Sequence, residues 1–395
     1  MADKFDVVVI GGGPGGYVAA IRAAQLGLKV ACVEAQKLGG VCNNWGCIPT
    51  KAMLEASHYA RSISGGLQDF GITVGDVKLD VVQAGKRAAG VSEQGAKGVA
   101  FLFKKNKIEH IQGWGRLLGN GKVEIDPGKN AGHGDEAPAG KGEKRVIEAK
   151  NIVIATGSRP RSLPFLKIDG DRVWSSDHAV FPKALPESLA IIGAGAIGME
   201  FADVYNSFGT KVTVIEALDR VLPNEDKESS AAVATSFKKR GITIHTGARL
   251  EKADVGKKGV KLTVKIGDKS ETIEAERVLV AIGRAPIIDD IGLEKAGVKT
   301  DKGFIVVDEF MQTNVPGIYA IGDCARPPLL AHKASHEGVV AAEAIAGVAE
   351  RGVDYANIPS VTYCTPEVAS VGVTEDRAKG AGYDIQGGKF PFSAN

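Results

Sequence analysis

The chain is short of aromatic residues, nearly without net charge, free of long apolar runs and without a histidine beyond His336. Each shortage removes a class of protein. Aromatics make up 6% of the 395 residues while glycines number 51, which disfavours a β-sandwich and suits an α/β chain with many tight strand-to-helix corners. With 49 lysines and arginines against 47 aspartates and glutamates, the net charge of +2 gives no field to draw nucleic acid or an anionic membrane surface. No apolar stretch reaches the roughly 18 residues of a membrane-spanning helix. The opening MADKFDVVVI reads as neither a signal nor a transit peptide, and five cysteines is an odd number for a disulfide framework, so a reducing, cytoplasmic setting is expected. The length suits two or three domains at roughly 150 residues each.

What the chain does contain is a repeat. Asp6 to Gly16, DVVVIGGGPGG, is a β-branched run for a buried parallel strand followed by Gly11, Gly13 and Gly16 in GxGxxG spacing; a helix over Tyr17 to Leu26 and a strand KVACVE ending on Glu34 come next. The second copy, Leu189 to Gly198, reads LAIIGAGAIG, with Gly193, Gly195 and Gly198, a helix from about Met199 to Phe208, and a strand KVTVIE ending on Glu216. In both copies the acid follows the first glycine by 23 residues. A lone GxGxxG is weak, but here each follows a strand, opens a helix and has its acid at the expected distance of roughly 20 residues. A pyrophosphate must lie against bare backbone N–H groups at a helix N-terminus, and the carboxylate accepts hydrogen bonds from a ribose diol. Two dinucleotide sites are therefore expected. Glu216 would repel a ribose 2′-phosphate, so the second should prefer NAD(H) to NADP(H). Further apolar strands stop at glycine turns in NIVIATGSRP (Asn151 to Pro160), RVLVAIGRAP (Arg277 to Pro286, with Gly283 assigned to the NAD site) and GIYAIGDC (Gly317 to Cys324).

Pro127 to Lys144 holds no Val, Ile, Leu, Met or aromatic residue and is expected to be a mobile surface insertion in a hairpin, with His133 solvated. The stretch Gly39 to Lys51, GGVCNNWGCIPTK, poses a sharper question. A zinc site would need two more ligands at motif spacing, and neither a second close Cys pair nor a nearby His pair exists. A structural staple over so short a loop would restrict the unfolded chain little. A redox pair explains more, because a helix beginning near Ile48 would favour a thiolate at Cys47 and Lys51 lies on the same helical face. Cys32, Cys324 and Cys364 read as buried small apolar residues, and His332 and His336 as structural or solvent-facing.

Over essentially its whole length, and most specifically in GGxCxNxGCIPxK, the sequence resembles the pyridine nucleotide-disulfide oxidoreductases, among them the members that oxidise dihydrolipoamide. The resemblance implies FAD in the first site, held by Gly11, Gly13, Gly16 and Glu34, with Asp323 on its flavin side, Ala331 and a helix start near the ring, and Gly115 of QGWG as a backbone contact. It places Lys51 by the flavin's reactive nitrogen, paired with Glu200. It makes Cys42 the interchange thiol that meets the substrate and Cys47 the sulfur facing the flavin in a charge-transfer pair, with NAD on Gly193, Gly195, Gly198, Glu216 and Gly283 as final acceptor. The implied partners are a second copy of the chain and the lipoyl domains of 2-oxoacid dehydrogenase or glycine-cleavage complexes.

The expected fold is α/β with two Rossmann-like domains: residues 1–157 for FAD, 158–282 for NAD, a central domain at 283–350 completing the FAD site, and 351–395 as the truncated start of an α+β interface domain. The resemblance also implies a C-terminal histidine acting as acid–base partner to the interchange thiol of the other subunit, and this sequence has none after His336. A chain of this length, with Lys389 to Phe392 read as an unclosed strand, is expected to be a fragment that binds FAD but turns lipoamide over weakly. Relatives acting on glutathione or mercuric ion share the sulfur motif but generally use NADPH, against Glu216; transhydrogenase relatives lack the cysteine pair. A flavoprotein that has lost catalysis and serves as a binding subunit is the alternative from a different class.

Overall fold

The computed structural model describes residues 3–65, 67–134 and 142–394. Its organising feature is a strand-turn-helix unit built twice. Strand Lys4–Ile10 is the centre of a seven-stranded sheet because its VVVI run is buried on both faces; Val8 registers with Ala31 on one side and Ile152 on the other. The order across the sheet is Glu109–Gln112, Val30–Glu34, Lys4–Ile10, Arg145–Ile154, Lys122–Asp126, Trp114–Gly119, and Ile318–Ala320 joins it beside Arg145–Ile154. The stretch read as an insertion thus leaves an antiparallel hairpin, Lys122–Asp126 with Arg145–Ile154, as expected. Residues 135–141 of it lie outside the described residues.

A second sheet of five parallel strands runs Thr243–His245, Lys211–Ile215, Ser188–Ile192, Arg277–Val280, Val173–Trp174. The three-stranded antiparallel sheet of Ala248–Val255, Val260–Ile266 and Lys269–Ala275 packs its Val260, Leu262 and Val264 against it. Ser158–Pro160 and Arg284–Pro286 pair antiparallel at the chain's exit from the first unit and its return.

The repeat's helices span Pro14–Gln25 and Ala196–Ser207, each beginning three residues before the sequence reading. The first turn of a helix makes few intrahelical bonds, so glycine there costs little, and proline at the first position has its φ already set. Helix Ala331–Ile345 packs on Pro14–Gln25 at glycine distance: a Cβ on Gly338 would stand 2.5 Å from the Gly15 carbonyl oxygen.

The last pieces, Ser360–Thr362 paired with Val368–Ser370, lie on the Ala196–Ser207 helix. They are fixed by a buried charge, Asp203, which is 1% exposed. Its carboxylate takes hydrogen bonds from Arg61 Nη1 at 2.8 Å, from the Thr365 backbone N–H at 2.6 Å and from Arg240, so three helices and the tail meet at one acid. Lys389 to Phe392 does not form the strand read from its sequence; Phe392–Ala394 is a short 3₁₀ turn. A strand needs a ladder partner, and among the described residues none lies beside it. Among those residues no helix is long and apolar enough to cross a membrane.

Candidate active site

The two glycine turns match atom for atom. Gly11 has φ of +108° and Gly193 of +102°, left-handed values that favour glycine, and a Cβ would stand 2.2 Å from the Ala155 oxygen in the first and 2.4 Å from that of Ala281 in the second. A Cβ on Gly16 would meet the Gly11 oxygen at 1.8 Å, and one on Gly198 the Gly193 oxygen at 2.0 Å, so strand and helix touch through bare backbone. Gly13 and Gly195, the helix N-caps, have extended backbone that any residue adopts, and what they provide is room: Gly195 has nothing within 4 Å of its Cβ position.

The acids match as well. Glu34 accepts from the Gly12 N–H at 2.6 Å and the Gln36 N–H at 2.7 Å; Glu216 accepts from the Ala194 N–H at 2.6 Å and the Leu218 N–H at 2.8 Å. Burial pushes the Glu34 carboxyl above the usual range despite these donors.

From Glu34 and Gly11 a cleft runs past Gly13, Cys42, Ser158 and Asp323 to Cys47 and Lys51, with Ala331 on its wall, and Ile197 and Glu200 of the second nucleotide helix line the same space. Asp323 accepts from Ser158 Oγ at 2.5 Å, and Arg284 holds that hydroxyl at 2.7 Å. The Gly322 peptide just before Asp323 is gripped on both sides: its N–H donates to Glu337 at 2.6 Å and its carbonyl accepts from Lys333 Nζ at 3.0 Å. Lys333 and Glu337 are both 0% exposed and 3.1 Å apart. Every charge of that pair is satisfied, since Tyr355 donates to the other Glu337 oxygen at 2.6 Å and Lys333 reaches the Arg326 carbonyl at 2.7 Å. Sequence reasoning passed over these two residues; lying four apart in LLAHKASHEG, they look like an ordinary surface pair.

At the far end Cys42 and Cys47 are joined in a disulfide with Cα atoms 4.6 Å apart. Cys42 sits in the short helix Gly40–Asn44, and Cys47 opens helix Cys47–Gly65. Lys51, one turn along, places Nζ 3.0 Å from both oxygens of Glu200, 149 residues away. Glu200 is 4% exposed and also accepts from the Tyr363 N–H at 2.9 Å, while the Tyr363 ring lies 4.8 Å from Lys51 Nζ. No group of three or more His, Cys, Asp or Glu among the described residues could hold a metal ion, so the zinc alternative has no further ligands.

Gly115 and Gly283, both assigned from sequence, do not line this cleft. Gly115 lies in strand Trp114–Gly119, with its Cβ position 2.8 Å from Ile10 and 3.4 Å from Val33. Gly283 follows Arg277–Val280, beside the Gly193 strand, and accepts from the Arg161 N–H at 3.0 Å. His133 corrects the sequence reading outright. It is 3% exposed rather than solvated, because its neighbours are polar side chains from distant parts of the chain: Gln36 and Asp177 hydrogen-bond it, and Trp45 stacks on its ring.

Cys32, Cys324 and Cys364 are buried with free thiols. Burial raises all three thiol pKa values, that of Cys364 to about 12 with Asp203 and Glu200 adding to the rise. Alkylation of the native, fully reduced protein should therefore modify the partly exposed Cys42 and Cys47 alone, with the other three reacting only after unfolding; peptide mass mapping reads this, and rapid native labelling of Cys364 would contradict it.

One nucleotide turn that shares a cleft with a disulfide, and the helix of a second nucleotide turn that borders the same cleft, define a disulfide oxidoreductase that works with pyridine nucleotide. The family description "pyridine nucleotide-disulphide oxidoreductase" matches residues 5–338, and that of the family's dimerisation domain matches residues 358–395; the chain belongs to this family. The dihydrolipoyl dehydrogenases of Zymomonas mobilis and Rhizobium etli are each 46% identical over 100% of the chain, which spans 82% and 83% of their lengths. Among solved structures, LpdA of Mycobacterium tuberculosis superposes with a TM-score of 0.84 at 27% identity, covering 96% of this chain and 80% of that one. The HOCl-induced flavoprotein disulfide reductase RclA of Escherichia coli, in its Cu(II) complex, gives 0.82 at 27%, covering 97% and 80%. The cofactors are FAD and NAD. The first cleft fits FAD: a side-chain-free helix start for a diphosphate, a buried acid for a ribose, and length enough to reach the disulfide.

Proposed function

We propose that this chain oxidises protein-bound dihydrolipoamide and reduces NAD to NADH, as the flavoprotein shared by 2-oxoacid dehydrogenase or glycine-cleavage complexes. It meets the lipoyl domains of those complexes and works as a homodimer. The observation that carries the reading is the Cys42–Cys47 disulfide at the end of the first cleft, with the Lys51–Glu200 pair beside it.

A thiolate of the substrate attacks Cys42, breaking the Cys42–Cys47 bond and forming a mixed disulfide; the substrate's second thiol then displaces Cys42, leaving lipoamide and a reduced cysteine pair. Cys47 is the leaving sulfur. Its position at the start of helix Cys47–Gly65, with the Lys51 ammonium one turn on, stabilises it as a thiolate. Glu200 holds Lys51 toward the cleft and, being on the second nucleotide helix, ties the two nucleotide units together at the reacting end. When bound, FAD supplies the two-electron chemistry that connects the dithiol to NAD, so that dihydrolipoamide and NAD⁺ yield lipoamide, NADH and a proton. Gly11, Gly13, Gly16, Glu34, Asp323 and Ala331 serve the FAD side, with Gly115 packed behind the cleft on Ile10 and Val33; Gly193, Gly195, Gly198, Glu216 and Gly283 serve NAD.

Adding dihydrolipoamide anaerobically to the FAD-loaded chain should expose two new reactive thiols and alter the visible spectrum, and NAD should reverse both. An unchanged thiol count would remove the cysteine pair from the reaction. Cofactor choice has its own check. With Glu216 in place NADH should be preferred over NADPH by about a hundredfold or more, since a carboxylate facing a phosphate costs several kcal/mol. In Glu216→Ala the affinity for NADH should drop about tenfold and the gap should narrow, as KM values for the two nucleotides will record.

A further inference from the structure

His133 is a buried imidazole that the chemistry above leaves unused. It lies between strands Lys122–Asp126 and Arg145–Ile154, yet its backbone is held by a side chain from another corner of the sheet: Gln36 Nε2 donates to the His133 carbonyl at 3.0 Å, and the His133 N–H donates to Gln36 Oε1 at 3.1 Å. Gln36 is two residues past Glu34, the acid of the first nucleotide turn. The His133 ring stacks on Trp45, which lies between the two redox cysteines, with centroids 5.7 Å apart and 29° between planes. Its Nδ1 is 3.0 Å from Asp177 Oδ2, on the short helix Ser176–Ala179, and both side chains are 4% exposed.

Three separate parts of the chain thus hold one imidazole on the wall of the cleft it shares with Glu34 and Gly13. With Nδ1 taken by Asp177, the second nitrogen remains. Among the described residues His133 Nε2 makes no hydrogen bond, and the 4% exposed side chain lines the cleft. A hydrogen bond from that nitrogen to a ligand atom in the cleft contributes about 0.5–1.5 kcal/mol. We propose that His133 is a binding residue for the dinucleotide of this cleft, hydrogen-bonding through Nε2 to its ribose–diphosphate half, and that Asp177 is the positioning residue that turns the ring toward it. The inference rests on the reading of this cleft as the FAD site.

The test is the affinity of the apoprotein for FAD and for ADP, read by flavin fluorescence and by calorimetry, with NADH binding at the second site as the internal control. His133→Phe keeps the stack on Trp45 and removes both nitrogens. It should weaken FAD and ADP about tenfold each and leave NADH unchanged. Wild-type affinity of H133F for FAD and ADP would overturn the proposal, as would an equal loss of NADH binding, which marks general damage. Should H133F fail to fold, Asp177→Asn decides: a several-fold loss of both ligands supports the assignment and unchanged affinity overturns it. If the wild-type apoprotein binds neither FAD nor ADP, the cofactor reading falls first and this proposal with it.

Discussion

Serine in place of Cys42 should lower dihydrolipoamide oxidation by at least about a thousandfold while leaving FAD bound and its reduction by NADH intact. A hydroxyl can neither form the mixed disulfide nor be displaced from it, so the exchange loses its first bond, and loss of a reaction's nucleophilic centre costs several orders of magnitude. NADH would be held by the second nucleotide unit, at the turn of Gly193 and Glu216 beside Ser188–Ile192, and Cys42 is no part of that turn. The two half-reactions therefore separate in a stopped-flow measurement. Equal loss of both would mean that the substitution had damaged the cofactor site. The same variant should show no gain of reactive thiols on mixing with dihydrolipoamide.

The largest loss of stability is expected at Asp203, one helical turn on from Glu200. Removing its carboxylate in Asp203→Ala leaves the Arg61 and Arg240 guanidinium groups facing each other without their counter-ion and the Thr365 N–H without an acceptor. Breaking a buried pair from one side costs about 3–5 kcal/mol, toward the lower end here because the Arg61 and Arg240 side chains are partly exposed and partly rehydrated. Chemical denaturation should record that loss, and limited proteolysis should cut first around residues 360–370, which the acid holds to the Ala196–Ser207 helix. A variant within about 1 kcal/mol of the parent would show that water reaches the site and that the network is ornamental.

The nucleotide units were legible because their requirements are local. A strand, three glycines and an acid at fixed spacing state a backbone path, and the path is there twice, with Glu34 on Gly12 and Glu216 on Ala194. The helix starts were misplaced by three residues for a physical reason, since glycine lowers helix propensity but costs little in a first turn whose bonds are mostly unmade. The Lys51–Glu200 contact was readable only through family resemblance, because no local rule joins residues 149 apart. His133 was misread since its stretch has no Val, Ile, Leu, Met or aromatic residue, and composition is blind to burial among polar partners such as Gln36 and Asp177. Lys333 and Glu337 were hidden in the opposite way: their spacing suits a solvated helix face, and they are buried because that helix packs on the glycine-lined Pro14–Gln25 helix.

The pairing of Ser158–Pro160 with Arg284–Pro286 has a consequence for how the chain is made. The polypeptide leaves the first sheet, builds the whole second unit, and returns to within a strand's width of where it left. Synthesis proceeds from the N-terminus, so the second unit has all its strands once Arg277–Val280 has emerged from the ribosome. The first is then still missing Ile318–Ala320 and the helix Ala331–Ile345 that bears Lys333 and Glu337. The half of the protein that begins first is completed last, and the grip on the peptide before Asp323 closes only then.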